Sequence, residues 1–187
     1  SRFPVSREEW FDVVDERDCV IGRELRATVH ARRLRHRAVH VLVGDDSGRV
    51  FLQKRSMHKD SAPGAWDSSA SGHVDSGETY EVCAPRELRE ELGWGASGPL
   101  ELLLGLEACD DLGQEFVRIY RARWDGKPFV LHPEEIETGA WFTPAEIDAA
   151  IAREPEKFAR SFRFLWRKLR ERGLTQEQSD ALRKLRR

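Results

Sequence analysis

Apolar positions in this chain come in short runs, broken by turn residues, with strand-like and helix-like spacing in alternation. Trp10-Phe11-Asp12-Val13-Val14 and Cys19-Val20-Ile21 surround Asp15-Glu16-Arg17-Asp18, a pattern that predicts a β-hairpin ended by Gly22. Arg26 to Leu34 reads as a short helix. Val39 to Val43 and Val50 to Leu52 flank Gly44-Asp45-Asp46-Ser47-Gly48, the turn chemistry of a second hairpin. Arg55 to Ser71 is polar, contains Pro63-Gly64, and reads as one long loop, a length that in compact domains usually signals function. Residues 79–92 have helical spacing. Leu100 to Leu106 and Phe116 to Tyr120 read as strands joined through Asp110-Asp111-Leu112-Gly113, and Trp141-Phe142 as a further short strand. Thr143-Pro144 caps a helix reaching about Arg153. A last helix is expected from Pro155 to Arg172, with Phe158, Phe162, Leu165, Trp166 and Leu169 on one side and Gly173 as its stop.

Mixed strands with a few helices imply an α/β layered domain. At 187 residues the chain fits one domain, expected over residues 1–173, with residues 174–187 as a basic tail. Arg183, Lys184, Arg186 and Arg187 in that tail read as a solvated helix end. The hydrophobic share of 40% and charged share of 34% are those of an ordinary globular protein. No run of about 18 apolar residues is present to span a membrane, and Ser1 to Trp10 lacks the apolar core of a signal peptide. Cys19, Cys83 and Cys109 are odd in number and far apart, which argues against a disulfide framework and for a reducing, cytoplasmic setting. A net charge of −2 gives no reason to expect nucleic acid as a partner.

The chemistry concentrates in residues 72–94. Helical geometry places Glu87, Glu90 and Glu91 at i, i+3 and i+4 on one face, with Leu88, Leu92 and Ala84 available to dock the helix on a core. Three converging carboxylates repel one another unless a counter-charge joins them, and hard divalent cations such as Mg²⁺ or Mn²⁺ prefer such oxygen ligands. For three glutamates alone, a solvent-facing acidic helix is the simpler explanation. The complete pattern, Gly72-His73-Val74-Asp75-Ser76-Gly77-Glu78 followed by Arg86-Glu87-Leu88-Arg89-Glu90-Glu91-Leu92-Gly93, is far more specific. Seven specified residues at these spacings coincide by chance with a probability on the order of 10⁻⁹ per starting position.

This segment resembles the Nudix box. The resemblance implies a Nudix-like α/β/α sandwich with a mixed sheet, preceded here by the N-terminal hairpin. It also implies a metal site on Glu87, Glu90 and Glu91, structural roles for Gly72, Glu78, Arg86 and Gly93, and an ion pair between Arg86 and Glu78. The activity implied is Mg²⁺-dependent hydrolysis (Mn²⁺ also serving) of a diphosphate bond in a nucleoside diphosphate derivative. Two positions depart from the family's pattern: Trp94 replaces an aliphatic residue, and Pro85 stands where a helix former is expected, predicting a kink or a late helix start.

Over residues 8–153 the chain is similar to the branch that includes type I isopentenyl-diphosphate isomerase, through Trp10 to Gly22, Gln53-Lys54-Arg55, Pro63-Gly64-Ala65-Trp66 and Gly113 to Val117. That enzyme's cysteine precedes a Gly-His pair, whereas Ser71 precedes Gly72-His73 here. A hydroxyl is a much weaker acid than a thiol, so isomerase chemistry is the lesser reading. The same resemblance aligns His73, and with an offset of one His30 and His36, with a histidine metal site; ordinary surface or hairpin histidines are the plainer alternative. Lys54, Arg55 and Gly72 are candidates to hold substrate, and Glu115 is the candidate general base, ahead of Glu134, Glu135 and Glu137. Trp66, Phe116 and Trp141 could stack a base, although core packing is the commoner use of each. A non-catalytic nucleotide-binding module is the third reading, disfavoured because every box glutamate is present. The expected partner is a small-molecule diphosphate, with a homodimer left open.

Overall fold

The computed structural model describes residues 8–175. The expected basic tail, apart from its first two residues, lies outside the described residues. Strand β1 (Trp10–Val14) pairs antiparallel with β2 (Val20–Leu25). Gly22 does not end this hairpin as expected: it pairs with Val13, and β2 continues to Leu25. Helix α1 (Arg26–Ala31) follows and leads into β3 (His36–Gly44), β4 (Val50–Arg55), β5 (Trp66–Asp67) and β6 (Ala70–His73). The segment read as one long loop therefore contains β5 and the start of β6. Such short strands have no period of their own and depend on Gln53, Lys54 and β3 as partners.

Then come α2 (Tyr80–Leu92), β7 (Glu101–Leu106), a 3₁₀ turn at Asp110–Leu112, β8 (Glu115–Arg123), β9 (Ile136–Phe142) and α3 (Pro144–Arg153). A second 3₁₀ turn (Pro155–Lys157) precedes α4 (Arg160–Glu171). The last helix thus starts later than its apolar spacing predicts, because Phe158 is extended and separates the turn from the helix. Thr143 caps α3 in a full capping box with Glu146.

The main sheet is mixed. β3 runs parallel to β8 and antiparallel to β4 and β6, and its neighbours on the path are β5-β4-β3-β8-β7, with β9 on β4. Alternation along β3 sends Val39, Val41 and Val43 to one face, where α2 packs through Cys83, Ala84, Leu88 and Leu92. Ala38 and Leu42 face the other way, toward Ile147 of α3 and Phe162, Leu165, Trp166 and Leu169 of α4. Helices cover both faces, as an α/β/α sandwich requires.

One edge of β3 changes partner along its length. Residues Ala38 to Val41 pair with β6, and Val43 and Gly44 pair with β4. The sheet splits there, and side chains satisfy the backbone groups that the ladder leaves. Ser69 Oγ accepts from Val43 N at 2.8 Å and donates to the Phe51 carbonyl, while Gln53 Nε2 donates to the Ser69 carbonyl at 3.1 Å. This split lies beside the box glutamates.

Helix α2 begins at Tyr80, with Thr79 Oγ1 accepting from Val82 N at 3.2 Å. Pro85 neither delays its start nor ends it, but it removes the bond its N–H would give the Glu81 carbonyl, a loss of about 3 kcal/mol in a helix interior. Gly93 ends the helix in the left-handed conformation at φ 57°. Trp94 is absorbed by the core beneath α2, and its indole N–H donates to Asp125 at 2.8 Å. No helix among the described residues is long and apolar enough to cross a membrane.

Candidate active site and metal centres

A cavity of about 1520 Å³ opens along the sheet face that carries His40 and Glu115, between the N-terminal hairpin, α1, the box and the turn at Asp110–Leu112. Its described lining holds twelve carboxylates against seven lysines and arginines. An anionic diphosphate would be repelled from such a lining unless cations entered with it.

The box is organised around Arg86. Its guanidinium grips Glu78 with two parallel bonds, Nε to Oε2 at 2.7 Å and Nη2 to Oε1 at 2.8 Å. Nη1 then reaches Glu87 at 2.9 Å and Glu90 at 3.1 Å, and Nη2 donates to the His73 carbonyl at 3.2 Å. One cation thus ties the loop, β6 and two box carboxylates together. Glu78 also accepts from Asp75 N at 3.2 Å, closing the loop on itself.

Glu87 and Glu91 are buried and Glu90 is exposed. Burial raises the Glu87 carboxyl to about 8, with Arg86 pulling it down and Glu90 pushing it further up. Burial and then the neighbouring Glu87 hold Glu91 well above the usual carboxylate range, against hydrogen bonds from Ser71 N and Gln53. Those bonds are 3.1 Å from Ser71 N to Oε2 and 3.1 Å from Gln53 Nε2 to Oε1. Two buried carboxylates with too little positive charge nearby form a donor set suited to a hard divalent cation. Gly72 is part of the same cradle, since a Cβ on it would lie 2.2 Å from the Glu87 carboxylate.

A second cluster adjoins the same cavity, which His30 and His73 line. His30 from α1, His36 from the start of β3 and His73 from β6 bring one ring nitrogen each to within 4.8 Å of the others. His36 Nδ1 lies 2.8 Å from the Leu34 carbonyl, which can only accept, so Nδ1 bears the proton and Nε2 presents a lone pair. That Nε2 is buried without a hydrogen-bond partner among the described residues. Burial lowers His36 to about 4, Glu115 and the Leu34 carbonyl opposing and His73 and His30 assisting, so the imidazole is neutral. An oriented, neutral and unpartnered imidazole is the state that ligates a metal. Glu115 lies 3.6 Å from His73 Nε2. Burial pushes its carboxyl up, but the hydrogen bond and charge of His73 outweigh that and leave it below the usual value. Phe11 closes the apolar side, stacking on His73 at 4.6 Å and on His36 at 5.7 Å.

The other expected site residues separate into two groups. Arg55 lines the cavity but is engaged by Asp67 at 3.3 Å and by the Ser61 carbonyl at 3.0 Å. Lys54 lies off the cavity lining and pairs with Glu137 at 3.2 Å. Glu135 lines the cavity in an ion pair with Lys59, whereas Glu134 and Glu137 do not line it. Trp66, Phe116 and Trp141 are absent from the described lining: Trp66 packs on Phe142, Trp141 on Phe51 and Trp124, and Phe116 is buried.

Several polar residues here were not singled out from the sequence. Gln53 positions Glu91. Asp12 of β1 accepts from Ser76 Oγ at 2.7 Å and Gly77 N at 3.1 Å, fastening the hairpin to the box loop. His40 is buried on the cavity wall, its Nδ1 2.8 Å from Ser68 Oγ and 3.9 Å from Asp67. Strand alternation offered a signal for His40, since it lies four residues beyond His36 and shares its face.

Comparison with known proteins agrees with this geometry. A profile of the NUDIX domain matches residues 34–162. An uncharacterized Nudix hydrolase of Yersinia pestis is 39% identical over 150 residues, covering 78% of this chain and 79% of its own. An isopentenyl-diphosphate Delta-isomerase of Serratia proteamaculans is 34% identical over 154 residues, covering 81% of this chain and 86% of its own. Among solved structures, DR0079 from Deinococcus radiodurans superposes with a TM-score of 0.77 at 32% identity, over 86% of this chain and 98% of that one. With the Arg86–Glu78 fork, the glutamate cradle under Gly72 and a sandwich fold to hold them, the chain belongs to the Nudix family of hydrolases.

Proposed function

We propose that this Nudix hydrolase breaks the diphosphate link of a nucleoside diphosphate derivative in a reaction that depends on Mg²⁺ or Mn²⁺. The observation that supports this most strongly is the pair of buried carboxylates, Glu87 and Glu91, beside exposed Glu90 on the wall of an acid-rich cavity. These three residues would hold a divalent cation, which would supply charge to neutralise the diphosphate and to lower the pKa of the attacking water. Arg86 holds Glu87 and Glu90 in register, and Gln53 and Ser71 hold Glu91, so the ligands need little rearrangement. Glu115, ionised and facing the cavity, is the proposed general base: it takes a proton from water as the new P–O bond forms and the bridging P–O bond breaks. Arg55, which lines the same cavity and is oriented by Asp67, is the proposed contact for diphosphate oxygens.

The histidine cluster supports a second, transition-metal centre on His30, His36 and His73, for which neutral imidazoles are the fitting donors. It also keeps the isomerase as the second reading, together with the relative of that name. Ser71 weighs against it, because a hydroxyl replaces the thiol at that position. The experiment is a Mg²⁺/Mn²⁺ screen over nucleoside diphosphate derivatives and isopentenyl diphosphate, with product identification. Release of a nucleoside monophosphate supports the hydrolase, and dimethylallyl diphosphate as the main product would replace it with the isomerase.

A further inference from the structure

Two features of the cavity lining occur together. Arg26, Arg33, Arg55, Lys59, Arg86 and Arg160 each form an ion pair with a protein carboxylate. Arg23 is the one lysine or arginine on the described lining without an ion pair or hydrogen bond among the described residues. Trp10 is the one tryptophan, phenylalanine or tyrosine on that lining. The two touch, with the Arg23 guanidinium carbon 4.9 Å from the centre of the Trp10 ring.

Both belong to the N-terminal hairpin. In the β1–β2 register Trp10 opposes Leu25 and Asp12 opposes Arg23, so Trp10, Asp12 and Arg23 share one face. That face is fastened to the box loop by Asp12, and by a bond from Ser76 N to the Trp10 carbonyl at 2.7 Å. The Trp10–Arg23 stack therefore adjoins the loop that leads into the box glutamates. A stacked guanidinium offers a flat cationic surface and keeps its in-plane N–H donors free. A planar ring with carbonyl or ring-nitrogen acceptors matches both properties, whereas a branched hydrocarbon matches neither.

We propose that Trp10 and Arg23 form the subsite for the group beyond the diphosphate, and that this group is a nucleobase. The base stacks on the Trp10 ring, and the Arg23 guanidinium, which no carboxylate among the described residues engages, turns its N–H donors to the acceptors on the base edge. This rests on the diphosphate hydrolase reading for the position of the phosphates and adds the residues that recognise the far group. Trp10 and Arg23 act as specificity-determining residues and take no part in the bond-breaking step.

The test is direct binding, so it does not depend on turnover. Calorimetry with Mg²⁺ compares ADP, CDP, isopentenyl diphosphate and inorganic pyrophosphate on the full chain and on Trp10→Ala, Trp10→Phe, Arg23→Ala and Arg23→Lys. Trp10→Ala and Arg23→Ala should each weaken the preferred nucleoside diphosphate about tenfold or more, the scale of a lost base–aromatic stack. Pyrophosphate binding should be unchanged, Trp10→Phe should recover most of the affinity, and Arg23→Lys should recover little. The proposal is overturned if both alanine variants bind nucleoside diphosphates as the parent does, or if pyrophosphate affinity falls in parallel. Isopentenyl diphosphate binding more tightly than ADP and CDP to the parent chain would also overturn it. Failure of hydrolysis with the binding pattern intact would count against the reaction and leave the subsite standing.

Discussion

Gly72 and Glu87 are packed so closely that a Cβ on Gly72 would lie 2.2 Å from the Glu87 Oε1. No side chain fits there while the carboxylate keeps its place. Gly72→Ala should displace Glu87 by about 1 Å, the shortfall from an ordinary van der Waals contact. A misplacement of about 1 Å lowers turnover on the order of 100-fold. Steady-state kinetics across a Mg²⁺ titration, with circular dichroism as the fold control, would check this. Parent-like kinetics would mean that Glu87 is not held against β6 as described.

Arg86 bonds to Glu78, Glu87 and Glu90 at once, and its guanidinium geometry makes that possible. Removing it leaves Glu78, whose carboxyl the fork holds ionised, without its partner, so Arg86→Ala should lose about 2–3 kcal/mol of stability, less than a fully buried broken pair because Arg86 is partly exposed. Arg86→Lys restores a charge without the fork, and should recover less than half of the lost stability and little activity. Chemical denaturation of the three proteins in EDTA separates these contributions.

Gln53 bridges the split in the sheet and donates to Glu91. Gln53→Met keeps the volume, removes the donor and leaves the Ser69 carbonyl short of a partner. Metal affinity should fall about 10- to 100-fold, as for other residues that orient a ligand. Mn²⁺ binding followed by calorimetry or electron paramagnetic resonance would register this, and equal affinity in the variant would remove Gln53 from the site.

Stability should depend on pH in a direction set by the glutamates. Glu87 has a folded value of about 8, above its ordinary value of 4.5, so the folded chain retains a proton that the unfolded chain has released. Its contribution is complete below about 4.5 and is lost as pH rises through about 8. His36, lowered to about 4, acts in the opposite sense: its contribution is present above about 6.5 and lost as pH falls through 4. In EDTA, therefore, Tm should decline between about pH 7 and 8.5, where the His36 contribution is nearly constant. Saturating Mg²⁺ should remove most of that decline. Melting curves that rise with pH over this range would contradict the raised carboxylates.

The box was readable from sequence because its chemistry is local. Glu78, Arg86, Glu87, Glu90 and Glu91 lie within fourteen positions, and helical spacing brings the last four together without tertiary information. The start of α3 was equally plain, because Thr143 and Pro144 mark its cap and first position. Residues whose roles depend on long-range pairing were harder to place. Lys54 is adjacent to Arg55, yet strand β9 places Glu137 beside it and takes it away from the cavity. Gln53 acquires its role only because β3 exchanges β6 for β4 at that level. His30 lies in α1 and His36 in β3, so no single helix or strand period relates them, yet the turn between these elements brings both to His73. Pro85 predicted a kink or a late start, and the helix starts at Tyr80 all the same, because Thr79 caps it and Cys83, Ala84 and Leu88 bury its inner face.

The proposed metal site makes Glu90 and Glu91 ligands of the cation that drives diphosphate hydrolysis. The direct measurement is the rate of Mg²⁺-dependent nucleoside monophosphate release by the parent chain and by Glu90→Gln and Glu91→Gln, on whichever nucleoside diphosphate derivative the screen identifies. Glu90 is exposed, so its amide variant keeps the fold. Both variants should fall by about 100-fold or more, the scale of losing an electrostatic contact made in the transition state. Unchanged turnover in both would mean that these glutamates do not hold the catalytic cation.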